Sequence, residues 1–247
     1  MGKNLGLAVT AEGWALAVIS WGKTGRLTQL LSGEWSPEEP VSTKAAILKQ
    51  VFERYRLAKE KVVVSVPMKA GYWKELRLPA LPPREMVMLI KNTFFSGLQE
   101  VPTEFCWQYK KYQAEGKEQR VVCFALPDQV GNEIKALMDQ AALNPLYFSP
   151  DLYSLSKGLN VIAPRGYHPA EITLLVIIRA HDVEVALVKD GDLVYYRSFP
   201  LLLTDGVIER GAVEEDLRLT KFMMRKENRY LANTCYFWDQ TGQCDEE

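Results

Sequence analysis

Leu5-Gly6-Leu7-Ala8-Val9-Thr10 opens a series that continues with apolar, alternating runs from Trp14 to Ser20 and from Leu27 to Trp35. A helical stretch from Ser42 to Tyr55 and the short apolar run Val62 to Val66 complete it. The same order returns at Ile172 to Ile178, Val183 to Val188 and Leu193 to Phe199, followed by the helix Ala212 to Arg225 and the run Thr234 to Trp238. Short runs rich in β-branched and apolar residues, bounded by turn residues, read as strands. The helices rest on spacing: Ile47, Leu48, Val51, Phe52 and Tyr55 recur at helical intervals behind Ser42, a candidate N-cap. In the second helix Val213, Leu217, Thr220 and Met224 form the stripe. Its acids, Glu214, Glu215 and Asp216, lie early and its bases, Arg225 and Lys226, lie late, as the helix dipole favours. Residues 5–66 and 171–238 thus each read strand-strand-strand-helix-strand, and the chain is expected to be an internally duplicated α/β protein.

Composition bounds what such a protein does. With 247 residues, 47% hydrophobic and 11% aromatic, the chain can bury a sizeable core as one large or two small domains. A net charge of −1 leaves no electrostatic footprint for nucleic acid or for a purely electrostatic membrane attachment. Cys106, Cys123, Cys235 and Cys244 are scattered, and only His168 and His181 could complement them, so no metal or cofactor is expected. The opening Met1-Gly2-Lys3-Asn4 leads directly into a strand pattern, with no signal peptide and with Gly6 where a myristoylation site needs Ser or Thr. No apolar run approaches the roughly 18 to 20 residues that cross a bilayer. A soluble protein of a reducing cytosol is expected.

Between the two copies lies a different unit. Trp73 to Leu78 alternates as a strand, and Pro82 and Pro83 start a helix through Leu98, with Gly97 near its end. Phe105 to Tyr112 and Arg120 to Leu126 alternate around the polar turn Ala114 to Glu118. Pro127 and Asp128 open another helix, with the stripe Val130, Ile134, Leu137, Met138 and Ala141. Residues 146–162 read as a return strand and a helix capped by Asp151, and residues 163–169 as a linker. In the second half Lys189-Asp190-Gly191-Asp192 marks a tight hairpin, because Asp-Gly supplies the positive dihedrals of the turn.

This ordered series resembles the PilM family, cytoplasmic actin-like components of type IV pilus assembly related in fold to FtsA and to the cytoplasmic part of the type II secretion L protein. The carriers are Leu5-Gly6-Leu7-Ala8-Val9 through Val18, Leu76-Arg77-Leu78-Pro79-Ala80-Leu81-Pro82, Val101-Pro102, and Ala142-Leu143-Asn144-Pro145 through Asp151. The hairpin Lys189-Asp190-Gly191-Asp192-Leu193-Val194-Tyr195-Tyr196-Arg197, with its trailing Arg197, completes them. The resemblance implies a duplicated ribonuclease-H-like (actin-like) α/β fold. A first half, residues 1–163, would hold an inserted α+β subdomain at 70–145, and residues 164–247 would form a shortened second half.

The departures from that family are informative. Its phosphate turns carry Asp and, two residues on, Gly, which lets backbone amides approach the phosphates. Here the first turn has Ala8 and Thr10, and counting back from the hairpin places Ile177 and Arg179 in the second. Asp239-Gln240-Thr241-Gly242-Gln243 is all that corresponds to a glycine-rich adenosine loop, and the short gap from Phe199 to Ala212 leaves no room for a subdomain over a nucleotide. The nucleotide positions therefore read as degenerate. Gly22-Lys23-Thr24-Gly25 lacks the earlier Gly of a phosphate loop and reads as a turn between strands. His181 and Asp182 are neighbours in an extended segment and point to opposite faces, which argues against a catalytic pair.

A partner surface is the remaining signal. Met86, Leu89, Ile90, Phe94 and Gly97 form one helical stripe, while Val87, Met88 and Phe95 add apolar groups on its flanks, so either a wider buried face or a docking patch is expected. Tyr72, Trp73, Met88 and Phe95 are the candidate partner-binding residues. The resemblance implies that a groove between the first half and the inserted subdomain accepts the cytoplasmic N-terminal tail of a PilN-like inner-membrane protein. It points to a non-catalytic adaptor of a pilus, competence or secretion machine, peripheral at the inner face of the cytoplasmic membrane and coupled to a motor ATPase. The rival expectations are a divergent actin-like ATPase with weak nucleotide binding and an FtsA-like filament former.

Overall fold

The first strand of the chain buries alternate residues, Leu5, Leu7 and Val9, and this alternation sets the face on which the first core is built. In the computed structural model the described residues are 3–21, 25–98, 106–115, 117–162, 171–179, 181–201, 203–204, 207–208, 210–228 and 234–239. The chain divides into two compact units, Met1–Asp151 and Leu152–Glu247.

The first unit contains β1 (Lys3–Val9), β2 (Gly13–Trp21), β3 (Gly25–Glu34), α1 (Val41–Arg54) and β4 (Lys61–Val66). It continues with β5 (Tyr72–Pro79), α2 (Pro83–Phe95), β6 (Trp107–Glu115), β7 (Glu118–Ala125), α3 (Asp128–Gln140) and β8 (Asn144–Pro150). Its main sheet has the order β3-β2-β1-β4-β8, antiparallel across β1 to β3 and parallel from β1 through β4 to β8. Leu7, Leu16, Val62 and Val64 face Leu48 and Phe52 of α1 and Leu137 and Met138 of α3 in one cluster. Burying each such side chain contributes about 1.5–3 kcal/mol relative to leaving it in water.

Helices α1, α2 and α3 are each preceded by proline, Pro40, Pro82 and Pro127, with no side-chain cap bond. Ser42 is therefore not the N-cap: the Pro40 carbonyl accepts the Thr43 and Lys44 amides, and Ser42 lies already inside the first turn. Helix α2 ends at Phe95, three residues short of Leu98, where Ser96 and Gly97 leave the helical ladder. The turn between β6 and β7 is tighter than the expected Ala114–Glu118, because Ala114 and Glu115 still pair with Gln119 and Glu118. Phe105 and the 163–169 linker lie outside the described residues.

Within the insertion, β5, β7 and β6 form a three-stranded antiparallel sheet in that order. Leu76, Leu78, Val121, Cys123 and Ala125 on one face pack with Met86, Ile90, Phe94 and Phe95 of α2. Burial pushes the Cys123 thiol up to about 12, with the Lys74 ammonium acting weakly the other way. The insertion is not sealed from the main core: Cys106, Phe124 and Leu126 belong to the cluster under the large sheet.

The second unit follows α4 (Asp151–Ile162) with β9 (Thr173–Ile178), β10 (Asp182–Lys189), β11 (Asp192–Pro200), the two-residue ladder β12 (Leu203–Thr204) and β13 (Val207–Ile208), α5 (Arg210–Asn228) and β14 (Thr234–Asp239). Its sheet order is β11-β10-β9-β14, the order β3-β2-β1-β4 repeated, with β14 parallel to β9 as β4 is to β1. Asp190 and Gly191 close the β10–β11 hairpin at φ of 54° and 71°, the positive pair that the tight turn requires. Arg197 fastens α5 to β11: Nη1 donates to Thr220 Oγ1 at 3.0 Å and Nη2 to Asp216 Oδ1 at 3.1 Å. Among the described residues no helix is long and apolar enough to cross a membrane.

Candidate functional site

The turns after the first strand of each half occupy equivalent ladder positions. Ala8 pairs with Ala15 as Ile177 pairs with Glu184, and the amides of Thr10 and Arg179 each donate to the carbonyl three residues on, at 2.9 and 2.8 Å. In the first turn Thr10 Oγ1 accepts the Gly13 and Glu12 amides at 3.1 and 3.3 Å, and Trp35 Nε1 donates to the Thr10 carbonyl at 3.1 Å. The loop donors that could meet an anion are thereby already engaged by the threonine hydroxyl. In the second turn Arg179 Nε donates to Glu184 Oε2 at 2.6 Å, and Tyr196 Oη donates to Glu184 Oε1 at 3.0 Å. The Glu184 side chain is 0% exposed and that of Arg179 16%, so a guanidinium and a buried carboxylate fill the turn region. Among the described residues no group of three or more His, Cys, Asp or Glu side chains is placed to hold a metal ion.

A second feature lies wholly within the first unit. A cavity of about 240 Å³ is lined by Cys106, Trp107, Gln108, Phe124, Leu126 and Pro145 through Phe148. Three elements build it: the start of β6, the end of β7 and the strand β8. Two of its lining residues are tied together by the Leu126 amide donating to the Cys106 carbonyl at 2.7 Å. Trp107 is held in place by Phe95, whose ring meets it edge-on at 5.2 Å, and by Tyr109, stacked at 5.8 Å. On the opposite wall Leu146 and Tyr147 are 53% and 54% exposed, which is high for large side chains of a sheet strand. The lining is mostly apolar and carries no charged side chain, a composition suited to a peptide and poorly suited to a phosphate chain.

None of the four partner residues named from sequence lines this cavity. Trp73 is half-buried against the first core, directly across the ladder from Phe124. Phe95 is buried and braces Trp107. Tyr72, 39% exposed, pairs with Ala125 at the start of β5, and Met88, 66% exposed, sits on the outer side of α2. Trp107, Leu146 and Tyr147 escaped sequence reasoning, although a tryptophan opening an alternating strand and consecutive aromatics in a return strand were visible.

No protein-family model and no curated protein matches the sequence. Solved structures match the fold. A structure of a PilM-PilN type IV pilus biogenesis complex gives a TM-score of 0.75 at 16% identity, covering 96% of this chain and 81% of the other. The cytoplasmic domain of EpsL, an inner-membrane component of the type II secretion system of Vibrio cholerae, gives 0.57 at 12% identity, covering 100% of this chain and 89% of that one. A Bacteroides thetaiotaomicron protein with an actin-like ATPase fold gives 0.54 at 14% identity, covering 95% and 81%. At these identities the likeness is one of fold: the chain is an α/β protein with an actin-like fold.

Proposed function

We propose that this chain is a non-catalytic adaptor of a type IV pilus, competence or type II secretion-like machine that binds the cytoplasmic tail of a PilN-like inner-membrane protein. The observation that carries the reading is the apolar cavity where the inserted unit meets β8, taken together with two phosphate-type turns already filled by protein groups. The likeness to a chain from a PilM-PilN complex and to the cytoplasmic domain of EpsL supports the machine class. On this reading residues 1–163 form the tail-binding half, with the insertion at 70–145, and residues 164–247 the shortened second half. The protein works at the inner face of the cytoplasmic membrane, and a motor ATPase is its second partner. Trp107, Leu146 and Tyr147 contact the tail, while Trp73 and Phe95 act from behind the wall through Phe124 and Trp107. Tyr72 and Met88 extend the apolar surface beyond the cavity.

A short peptide that becomes ordered on a surface gives up much conformational freedom, so useful affinity requires a few well-buried side chains. Calorimetric titration with synthetic peptides of about ten residues, copied from the N-terminal tails of any membrane proteins that neighbouring genes encode, tests the reading. Saturable binding is expected, and Tyr147→Ala should weaken it by more than about 1 kcal/mol, the threshold of a contributing interface residue, with circular dichroism unchanged. The absence of binding by wild type to any neighbouring tail would refute the adaptor.

A further inference from the structure

Helix α5 presents two faces of opposite character. Val213 is buried in the core of the second unit, Leu217 packs against that core, and Thr220 is buried beside Arg197. The Arg197 bonds to Thr220 and Asp216 fix the rotation of the helix against β11. Leu219 and Phe222 fall outside that buried stripe and stand 47% and 62% exposed. Three residues apart on a helix, they are neighbours on its surface.

The charges of α5 are segregated along its length. Glu214, Glu215 and Asp216 lie in its first half, whereas Arg218, Lys221, Arg225 and Lys226 in the second half face only Glu227 as a counter-charge in sequence. The net charge of −1 for the whole chain conceals this separation. Arg218 lies 3.7 Å from Glu214, but both side chains are mostly exposed, and such a pair holds its partners weakly. The exposed apolar pair thus sits in the basic half, Leu219 directly after Arg218 and Phe222 directly after the exposed Lys221.

This pattern selects among occupants. A second copy of the same face would set like charges against each other. A stable protein interface takes about 20–30 residues a side, far more than two apolar side chains and their cations provide. A bilayer surface asks for less: apolar side chains enter the boundary between headgroups and acyl chains, while neighbouring Lys and Arg meet anionic headgroups.

We infer that the basic half of α5 is a membrane-contact site, with Leu219 and Phe222 entering the headgroup region and Arg218 and Lys221 meeting anionic phospholipids. Contact of this size is weak and reversible, since firm attachment takes more than one signal. It goes beyond tail binding by the first unit and does not depend on it.

Flotation of the whole chain with vesicles of phosphatidylcholine, alone or with about one-third phosphatidylglycerol, reads the contact. At least about tenfold more protein should float with the anionic vesicles at low salt, and about 0.5 M salt should remove most of it. Lys221→Glu, and separately Leu219→Ser with Phe222→Ser, should each lower anionic binding at least about fivefold. Circular dichroism should stay unchanged, because all three side chains are exposed. Equal flotation with both vesicles, no flotation, or anionic binding that both variants retain would each overturn the site. Retention on polyglutamate beads without vesicle flotation would overturn it in favour of an acidic protein. Vesicles and beads carry no tail peptide, so each of these results leaves the adaptor to its own titration.

Discussion

Arg179→Ala is the substitution that most directly probes how the second turn is filled. It removes the partner of a carboxylate that is completely buried, while leaving the Tyr196 hydroxyl bond to Glu184 in place. Breaking a buried ion pair from one side costs about 3–5 kcal/mol, because the remaining charge keeps its desolvation penalty. Arg179 is slightly exposed and the tyrosine bond persists, so the lower end, about 3 kcal/mol, is expected for the second unit. For a chain of this size that corresponds to a fall of about 6–12 °C in the unfolding midpoint of the transition that includes β9 and β10. Glu184→Gln keeps an acceptor for Tyr196 and removes the charge, so Arg179→Ala combined with Glu184→Gln should recover more than half of the loss. The four-protein cycle, followed by circular dichroism at neutral pH, should give a coupling above about 2 kcal/mol. A single-mutant shift under about 2 °C, or additive effects in the cycle, would show that the pair does not hold the turn.

Mg-ATP at millimolar concentration should leave the unfolding midpoint unchanged, whereas a ligand at a hundredfold excess over its dissociation constant would add about 2.7 kcal/mol. A clear upward shift would return the protein to the nucleotide-binding class, and Ala8→Asp with Thr10→Gly alone should not produce one, because Arg179 still fills the other turn. For Cys123 the native thiol pKa of about 12 lies above its ordinary value of 9.0, so the unfolded chain loses the proton first as pH rises. The stability this contributes is therefore complete below about pH 9 and lost as pH climbs towards 12. Denaturant unfolding across that range should show the loss and Cys123→Ala should flatten it; rapid alkylation of Cys123 in the native protein at pH 8.5 would contradict the assigned burial.

Much of the fold was legible because the strands and helices are short, strongly patterned and closed by recognisable turns. Asp190-Gly191 marks one hairpin by its residue types alone, and the repeat of three strands, helix and strand reappears as the same sheet order in both units. The helix starts were less legible, since Ser42 looked like a cap while the chain used Pro40, a residue that sets the entry by its fixed φ without a side-chain bond. The residues that line the cavity were not legible: the family resemblance implied a groove beside the insertion, but Tyr72, Trp73, Met88 and Phe95 are not in its lining. That Leu146 and Tyr147 lie on an edge depends on sheet order, a long-range property that no local pattern encodes, so residues 146 onward read only as a return strand. Arg179 was visible as an obstacle to phosphate, but its partner was hidden by the cross-strand geometry that brings Glu184 beside Ile177. The one available hint was a glutamate embedded in the apolar run Val183 to Val188.

The sharing of Cys106, Phe124 and Leu126 between the insertion and the main core has a consequence for how this protein can change over evolutionary time. An inserted unit with a sealed core can be exchanged between relatives like a cassette, because its residues answer only to one another. Here the end of β7 and the segment before β6 answer to α1, α3 and the large sheet as well, so the insertion and its host must drift together. On the adaptor reading, changes of partner preference are then expected to come from the exposed rim of β8, where Leu146 and Tyr147 can vary without repacking either core.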